Sequence, residues 1–389
     1  MPVSRTITEQ ISRASWIRRM FEEGTRLRAE RGAENVYDFS LGNPDVEPPT
    51  ATIDTLRRVV EQNAERSHAY MPNAGFVETR AVIAEQLSRQ TGLAYTDDHV
   101  IMTVGAAGAM NTAFKALLDP SDEVIILTPW FAEYLFYITN HGGTVVQVDT
   151  DDRFQPDIDR IAAAITPRTK AIILNSPNNP TGAIYPAEIL DRLNALLTSL
   201  DHPVMVVSDE PYRELALDGT PVPSTPKHIA NTFTAYSWSK AMAVPGERIG
   251  YLAVSPRIDH AKELVGACVF ANRILGFVNA PAIWQRVVAD TPDAVVDIGP
   301  YREKRDLMCD ALESFGYDLV RPSGAFYVFP RTPIDDDVAF VRMLQEEGIL
   351  CVPGSGFGRS GYMRLSLTVP REMIERSLPG FKRAIERVR

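Results

Sequence analysis

The chain has 389 residues, 45% hydrophobic and 23% charged, proportions of ordinary globular proteins that exclude a disordered, collagen-like or coiled-coil chain. At roughly 150 residues per domain, this length allows about two to three domains, or one large domain with an appended lobe. Lys plus Arg number 40 against 50 Asp plus Glu, a net charge of -10, which argues against a nucleic-acid or anionic-membrane partner, since either needs a basic face.

Cys268, Cys309 and Cys351 are odd in number, far apart and outside any CxxC pair. They read as reduced thiols, with neither a disulfide frame nor a metal site. The polar start Met1-Pro2-Val3-Ser4-Arg5 has no apolar segment behind it, and no apolar run reaches about 18 residues. A cytoplasmic protein with no membrane span is expected.

Apolar and small residues at Ile17, Met20, Phe21, Gly24 and Leu27 fall at helical spacing, with Gly32 as a stop. After Phe39-Ser40-Leu41 comes the turn-rich segment Gly42-Asn43-Pro44-Asp45-Val46-Glu47-Pro48-Pro49, where a first boundary is placed. Strands are expected at 100–104, 123–127, 144–148, 171–175, 204–208, 232–236 and 249–254, most of them continuous apolar runs separated by helical stretches. Continuous runs suit strands covered on both faces, so the pattern predicts an α/β fold with a mostly parallel sheet of seven strands. A charged helix from Pro300 to Phe315, short strands around 326–329 and 363–367, and a last helix after Pro370 predict a smaller α+β lobe. The expected division is 1–48, the N-terminal helix and a segment of the small domain; 49–289, the large domain; and 290–389, the small C-terminal domain.

In such sheets ligands bind beyond the carboxyl ends of the strands, and polar clusters stand there. Thr103-Val104-Gly105-Ala106-Ala107-Gly108 exposes backbone N–H groups at a helix start, an anion cradle or simply a tight turn. Asn175-Ser176-Pro177-Asn178-Asn179-Pro180-Thr181-Gly182 is a rigid turn that projects amides, toward a ligand oxygen or only within itself. Asp209, in Ser208-Asp209-Glu210-Pro211-Tyr212, ends a buried strand, where an acid needs a cation, a donor or a helix-capping role. Lys240, in Ser237-Trp238-Ser239-Lys240, lies among small and apolar residues that depress an amine pKa and favour imine chemistry, although a solvated lysine would read the same way. Arg248 has the fork that grips phosphate or carboxylate. Together they supply an anion grip, an amide, an acid and an imine-forming amine, the set that pyridoxal phosphate requires.

Through Asn178-Asn179-Pro180-Thr181-Gly182, Asp209-Glu210-Pro211-Tyr212, Ser237-Trp238-Ser239-Lys240 and Gly246-Glu247-Arg248-Ile249-Gly250, in that order and spacing, the chain resembles the class I/II aminotransferases among the fold-type I pyridoxal-phosphate enzymes. The resemblance implies that pyridoxal 5'-phosphate is the cofactor and Lys240 the imine-forming lysine. It implies that Asp209 pairs with the pyridine nitrogen and that Asn179 and Tyr212 donate to the phenolic oxygen. Gly105, Ala106, Ala107, Ser237, Ser239 and Arg248 would form the phosphate grip, and Phe131 would stack on the ring or remain a core aromatic. Arg364, with Gly42 and Asn179, would hold the α-carboxylate of an amino acid. Tyr70 would cross to the partner's cofactor in a homodimer.

The resemblance also has departures. One group of aspartate aminotransferases has Gly-Gly-Lys where this chain has Gly105-Ala106-Ala107, and the lysine that helps read a distal carboxylate is missing. Another group uses a partner arginine, near which Arg273 falls one position off. Met71, Asn73, Trp16 and Ile17 are expected at the mouth or in dimer packing. The expected activity is amino transfer between an α-amino acid and a 2-oxo acid by a ping-pong cycle. A lyase, decarboxylase, synthase or oxidase on the same scaffold is the alternative.

Overall fold

A computed structural model describes residues 3–13, 16–62 and 68–389. The first amphipathic stretch forms a helix over Trp16–Arg31, ended by Gly32 at φ 85°, a conformation that glycine adopts without steric cost. The side chains of Trp16 and Ile17 lie outside the described residues. No helix among the described residues is long and apolar enough to cross a membrane.

All the expected large-domain strands form: β1 (Val100–Thr103), β2 (Glu123–Thr128), β3 (Thr144–Asp149), β4 (Thr169–Asn175), β5 (Met205–Asp209), β6 (Thr232–Ser237) and β7 (Gly250–Val254). They make one seven-stranded sheet in the order β1-β7-β6-β5-β4-β2-β3. Pairing is parallel except where β7 runs antiparallel to both β1 and β6. β1, β2, β5, β6 and β7 are buried throughout, as continuous apolar runs predict. β3, at one edge of the sheet, is largely exposed, whereas β1 at the opposite edge is buried.

Register decides which residues meet. Asn175 pairs with Asp209 and Asp209 with Ala235, while Gly250 lies between Thr103 and Ser237. The antiparallel β7 thus brings its starting glycine to the edge where the parallel strands end. A Cβ on Gly250 would lie 2.3 Å from the Tyr236 carbonyl and 2.7 Å from Gly105 Cα, so only glycine lets these turns close together.

The smaller lobe holds the antiparallel strands Val352–Pro353, Met363–Ser366 and Tyr327–Val328. The N-terminal strand Tyr37–Asp38 pairs in parallel with Ile349–Leu350. The cores interlock. Tyr212, Leu215 and Leu217, from the large part of the chain, pack in one cluster with Phe39, Tyr301 and Phe326. Phe329 and Phe357 pack beneath the large sheet with Ile125 and Ile172.

Candidate active site

The carboxyl ends of β4, β5 and β6 open into a cavity of about 320 Å³ lined by residues of both lobes. Of the sequence candidates, Gly42, Ala106, Ala107, Phe131, Asn179, Asp209, Tyr212, Ser237, Ser239, Lys240, Arg248 and Arg364 all line it. Gly105 lies just behind the lining, at φ 75°. A Cβ there would meet the Arg248 guanidinium at 3.3 Å, so glycine keeps the turn open beside this cation.

Lys240 follows β6 in the short helix Trp238–Ala241, capped by the Ser237 hydroxyl on the Ser239 N–H. Its Nζ donates to the Gly42 carbonyl at 2.7 Å. Burial first, then the neighbouring Arg364 and Arg248 charges, lower its pKa to about 8. Each of these causes disfavours the ammonium, so the neutral amine rises to about a tenth of the population at pH 7 and to half at about pH 8.

Asp209 is buried at the end of β5. Its Oδ2 accepts from the Tyr134 hydroxyl at 2.5 Å, whereas Oδ1 has no partner among the described residues. Burial raises its pKa to about 7, with Glu210 adding to the rise and the Tyr134 hydrogen bond opposing it. An unpaired buried carboxylate oxygen is costly, and a cationic N–H at Oδ1 would remove that cost. Asn175 locks the strand end: its Nδ2 donates to the Asp209 carbonyl at 2.9 Å and its Oδ1 accepts from the Asn179 N–H at 2.7 Å.

Arg364, on the small-lobe strand Met363–Ser366, is 2% exposed. It donates to Asn179 Oδ1 at 3.1 Å and to the Ser40 carbonyl at 2.7 Å. Its guanidinium lies over the rings of Tyr327 and Phe357. The fork is held from behind, and its Nε–H has no partner among the described residues. Arg248 donates to the Pro245 carbonyl at 2.9 Å, and Ser237 Oγ donates to Ser239 Oγ at 2.8 Å, grouping a cation and hydroxyls at the turn of Ala106 and Ala107.

Tyr70 is 92% exposed and faces a separate hollow with Met71, Phe277 and Val278. Neither Tyr70, Met71, Asn73 nor the exposed Arg273 lines the cavity within this chain.

Sequence reading missed Ser40, Asn175, Tyr137 and Tyr327 as lining residues, and Tyr134 behind Asp209. Asn175 was open to discovery as the last polar residue of a buried strand. Tyr327, whose hydroxyl lies 3.0 Å from that of Tyr212, comes from the other lobe, and no local pattern marks it.

This arrangement agrees with comparisons to known proteins. The family model for aminotransferase class I and II matches residues 34–379. An aspartate/prephenate aminotransferase of Thermus thermophilus is 37% identical over 375 residues, covering 93% of this chain and 94% of its own. A solved amino transferase from Eubacterium rectale superimposes with a TM-score of 0.96 at 39% identity, covering 100% of this chain and 99% of its own. An aspartate aminotransferase from Thermus thermophilus, solved with maleate, gives 0.88 at 33% identity, covering 99% of this chain and 100% of its own. The seven-stranded sheet, the amine and acid facing one cavity, and the family match over most of the chain converge: this protein belongs to the class I and II aminotransferases and is a transaminase.

Proposed function

We propose that the cavity holds pyridoxal 5'-phosphate and that the protein moves an amino group between an α-amino acid and a 2-oxo acid in two half-reactions. The observation that carries this reading is the pairing, across one cavity, of the depressed Lys240 amine with the unpartnered Asp209 Oδ1. The bound cofactor supplies an electron sink for the carbanion at the substrate's α-carbon.

With the cofactor bound, Lys240 would be the residue that holds it and the amine placed to take the proton from the substrate's Cα. Asp209 stabilises the protonated ring nitrogen. Asn179 and Tyr212 would donate to the cofactor's phenolic oxygen, and Phe131 would pack against its ring. Ser237, Ser239, Arg248 and the backbone of Gly105, Ala106 and Ala107 grip the phosphate. Arg364, with Gly42 and Asn179 beside it, forks onto the α-carboxylate. Tyr70 extends to the partner's cofactor in a homodimer, which its exposure in the single chain supports.

The test is an absorbance titration of the cofactor-loaded protein with single amino acids and no oxo acid. Conversion of the cofactor to its amine form by a few amino acids supports the reading and names the donors. Release of ammonia or carbon dioxide without that conversion would instead assign lyase or decarboxylase chemistry.

Two further results are expected. Arg364→Lys keeps the charge but loses the planar fork, so KM for the amino acid should rise on the order of 10- to 100-fold, as when a hydrogen bond to a charged group is lost. Steady-state kinetics against the same donor check this. The rate of cofactor uptake by the empty protein should rise about tenfold per pH unit and level off above pH 8, because only the neutral Lys240 amine attacks the aldehyde. Stopped-flow absorbance across pH 6–10 reads this midpoint; a rate still climbing at pH 10 would contradict a depressed amine.

A further inference from the structure

Behind the acid stands a residue that does not line the cavity. Tyr134 is 2% exposed, and its hydroxyl donates to Asp209 Oδ2 at 2.5 Å. The ring is wedged edge-on against Phe131 at 5.6 Å and near Tyr137 at 6.5 Å, and its backbone N–H bonds to the Phe131 carbonyl. It therefore has little freedom to swing away.

The neighbouring groups leave the Asp209 side chain to Tyr134 alone. Asn175 holds the Asp209 backbone carbonyl, not its carboxylate. Ser208 turns to Glu210 and Thr225, and Arg213 pairs with Glu210 and Glu214. Among the described residues, the Tyr134 phenol is the one hydrogen-bond partner of the carboxylate, and it occupies only Oδ2.

We propose that Tyr134 is the positioning residue of the cofactor-binding acid: its hydroxyl fixes Asp209 through Oδ2 so that Oδ1 is presented, still bearing charge, to the cofactor's ring nitrogen. The choice of a phenol matters. An arginine or lysine there would neutralise the carboxylate and weaken its hold on a ring cation. A neutral donor orients the anion and favours its ionised form while leaving its charge for the ligand. The Phe131 contact also links this residue to the side chain proposed to cover the ring face, so one wedge sets both neighbours.

This inference rests on the pyridoxal-phosphate reading. It is tested by a double-mutant cycle on Tyr134→Phe and Asp209→Asn, reading the dissociation constant of pyridoxal phosphate by equilibrium dialysis and the melting temperature of each cofactor-free variant. Phenylalanine keeps the ring and its packing, so the fold is retained. Tyr134→Phe alone should weaken cofactor binding on the order of 10- to 100-fold, the loss expected for a hydrogen bond to a charged group. In the Asp209→Asn background the same substitution should change binding less than about threefold, since the interaction it removes is already gone. Equal losses in both backgrounds would make Tyr134 a packing residue and overturn the proposal, as would no loss in either. Failure of the unaltered protein to bind pyridoxal phosphate would overturn the cofactor reading itself, a result distinct from additivity in the cycle.

Discussion

Alanine in place of Lys240 is expected to abolish transamination, lowering kcat by about 10⁴-fold or more, because one substitution deletes both the proposed covalent attachment and the proposed base at the substrate's Cα. The geometry explains why no neighbour replaces it. Arg364 and Arg248, the other cations of the cavity lining, carry planar guanidinium groups in place of a primary amine and cannot form the imine. Arg364 is also committed to Asn179 and Ser40. The substitution leaves the proposed phosphate grip untouched, so the variant should still retain pyridoxal phosphate, with an altered visible spectrum. Single-turnover absorbance with an amino acid checks both halves. Turnover within tenfold of the unaltered protein would remove Lys240 from its proposed role.

Asp209→Asn should have opposite effects on activity and on the stability of the empty protein. On the proposed pairing, loss of the carboxylate would leave the ring cation without its counter-charge in a buried site, and kcat should fall on the order of 10²- to 10³-fold, as when one partner of a buried charge pair is removed. In the cofactor-free protein the same carboxylate is a burden. Its folded pKa is raised to about 7 from an ordinary 3.8, so between these values the folded state binds more protons than the unfolded chain and stability falls as pH rises. Asparagine cannot ionise and escapes this decline. The empty variant should therefore melt above the empty unaltered protein at pH 8, with the gap narrowing as pH falls toward 4. Thermal melts across that window decide the matter; a gap independent of pH would show that Asp209 is not held in an unfavourable ionised state. Such a group, kept against stability until a ligand pairs it, is what a functional site predicts.

The strands were legible because a buried strand in an α/β sheet must be apolar along its whole length. The cavity lining was legible because the polar residues that end such strands stand out against those runs. Asp209 and Lys240 are of this kind. The exposed strand Thr144–Asp149 shows the limit of the rule: its β-branched residues mark a strand, but nothing local says that its faces are left partly uncovered.

Direction and register came only with the tertiary structure. The reversed strand β7 carries the same apolar signature as its parallel neighbours, and its place between β1 and β6 depends on long-range pairing. That reversal is what sets Gly250 against Gly105 and Ser237. Tyr134 and Tyr327 were hidden for a related reason. Each is an aromatic within an apolar stretch, indistinguishable from core until the fold brings its hydroxyl against Asp209 or Tyr212. Sequence by itself determined the sheet, the chemical types at its carboxyl edge and the family, because burial and backbone geometry constrain residue type locally. The tertiary structure alone decided which oxygen of Asp209 is free, which arginines add to the depression of the Lys240 amine and which groups hold the Arg364 fork, because those depend on contacts between residues far apart in the chain.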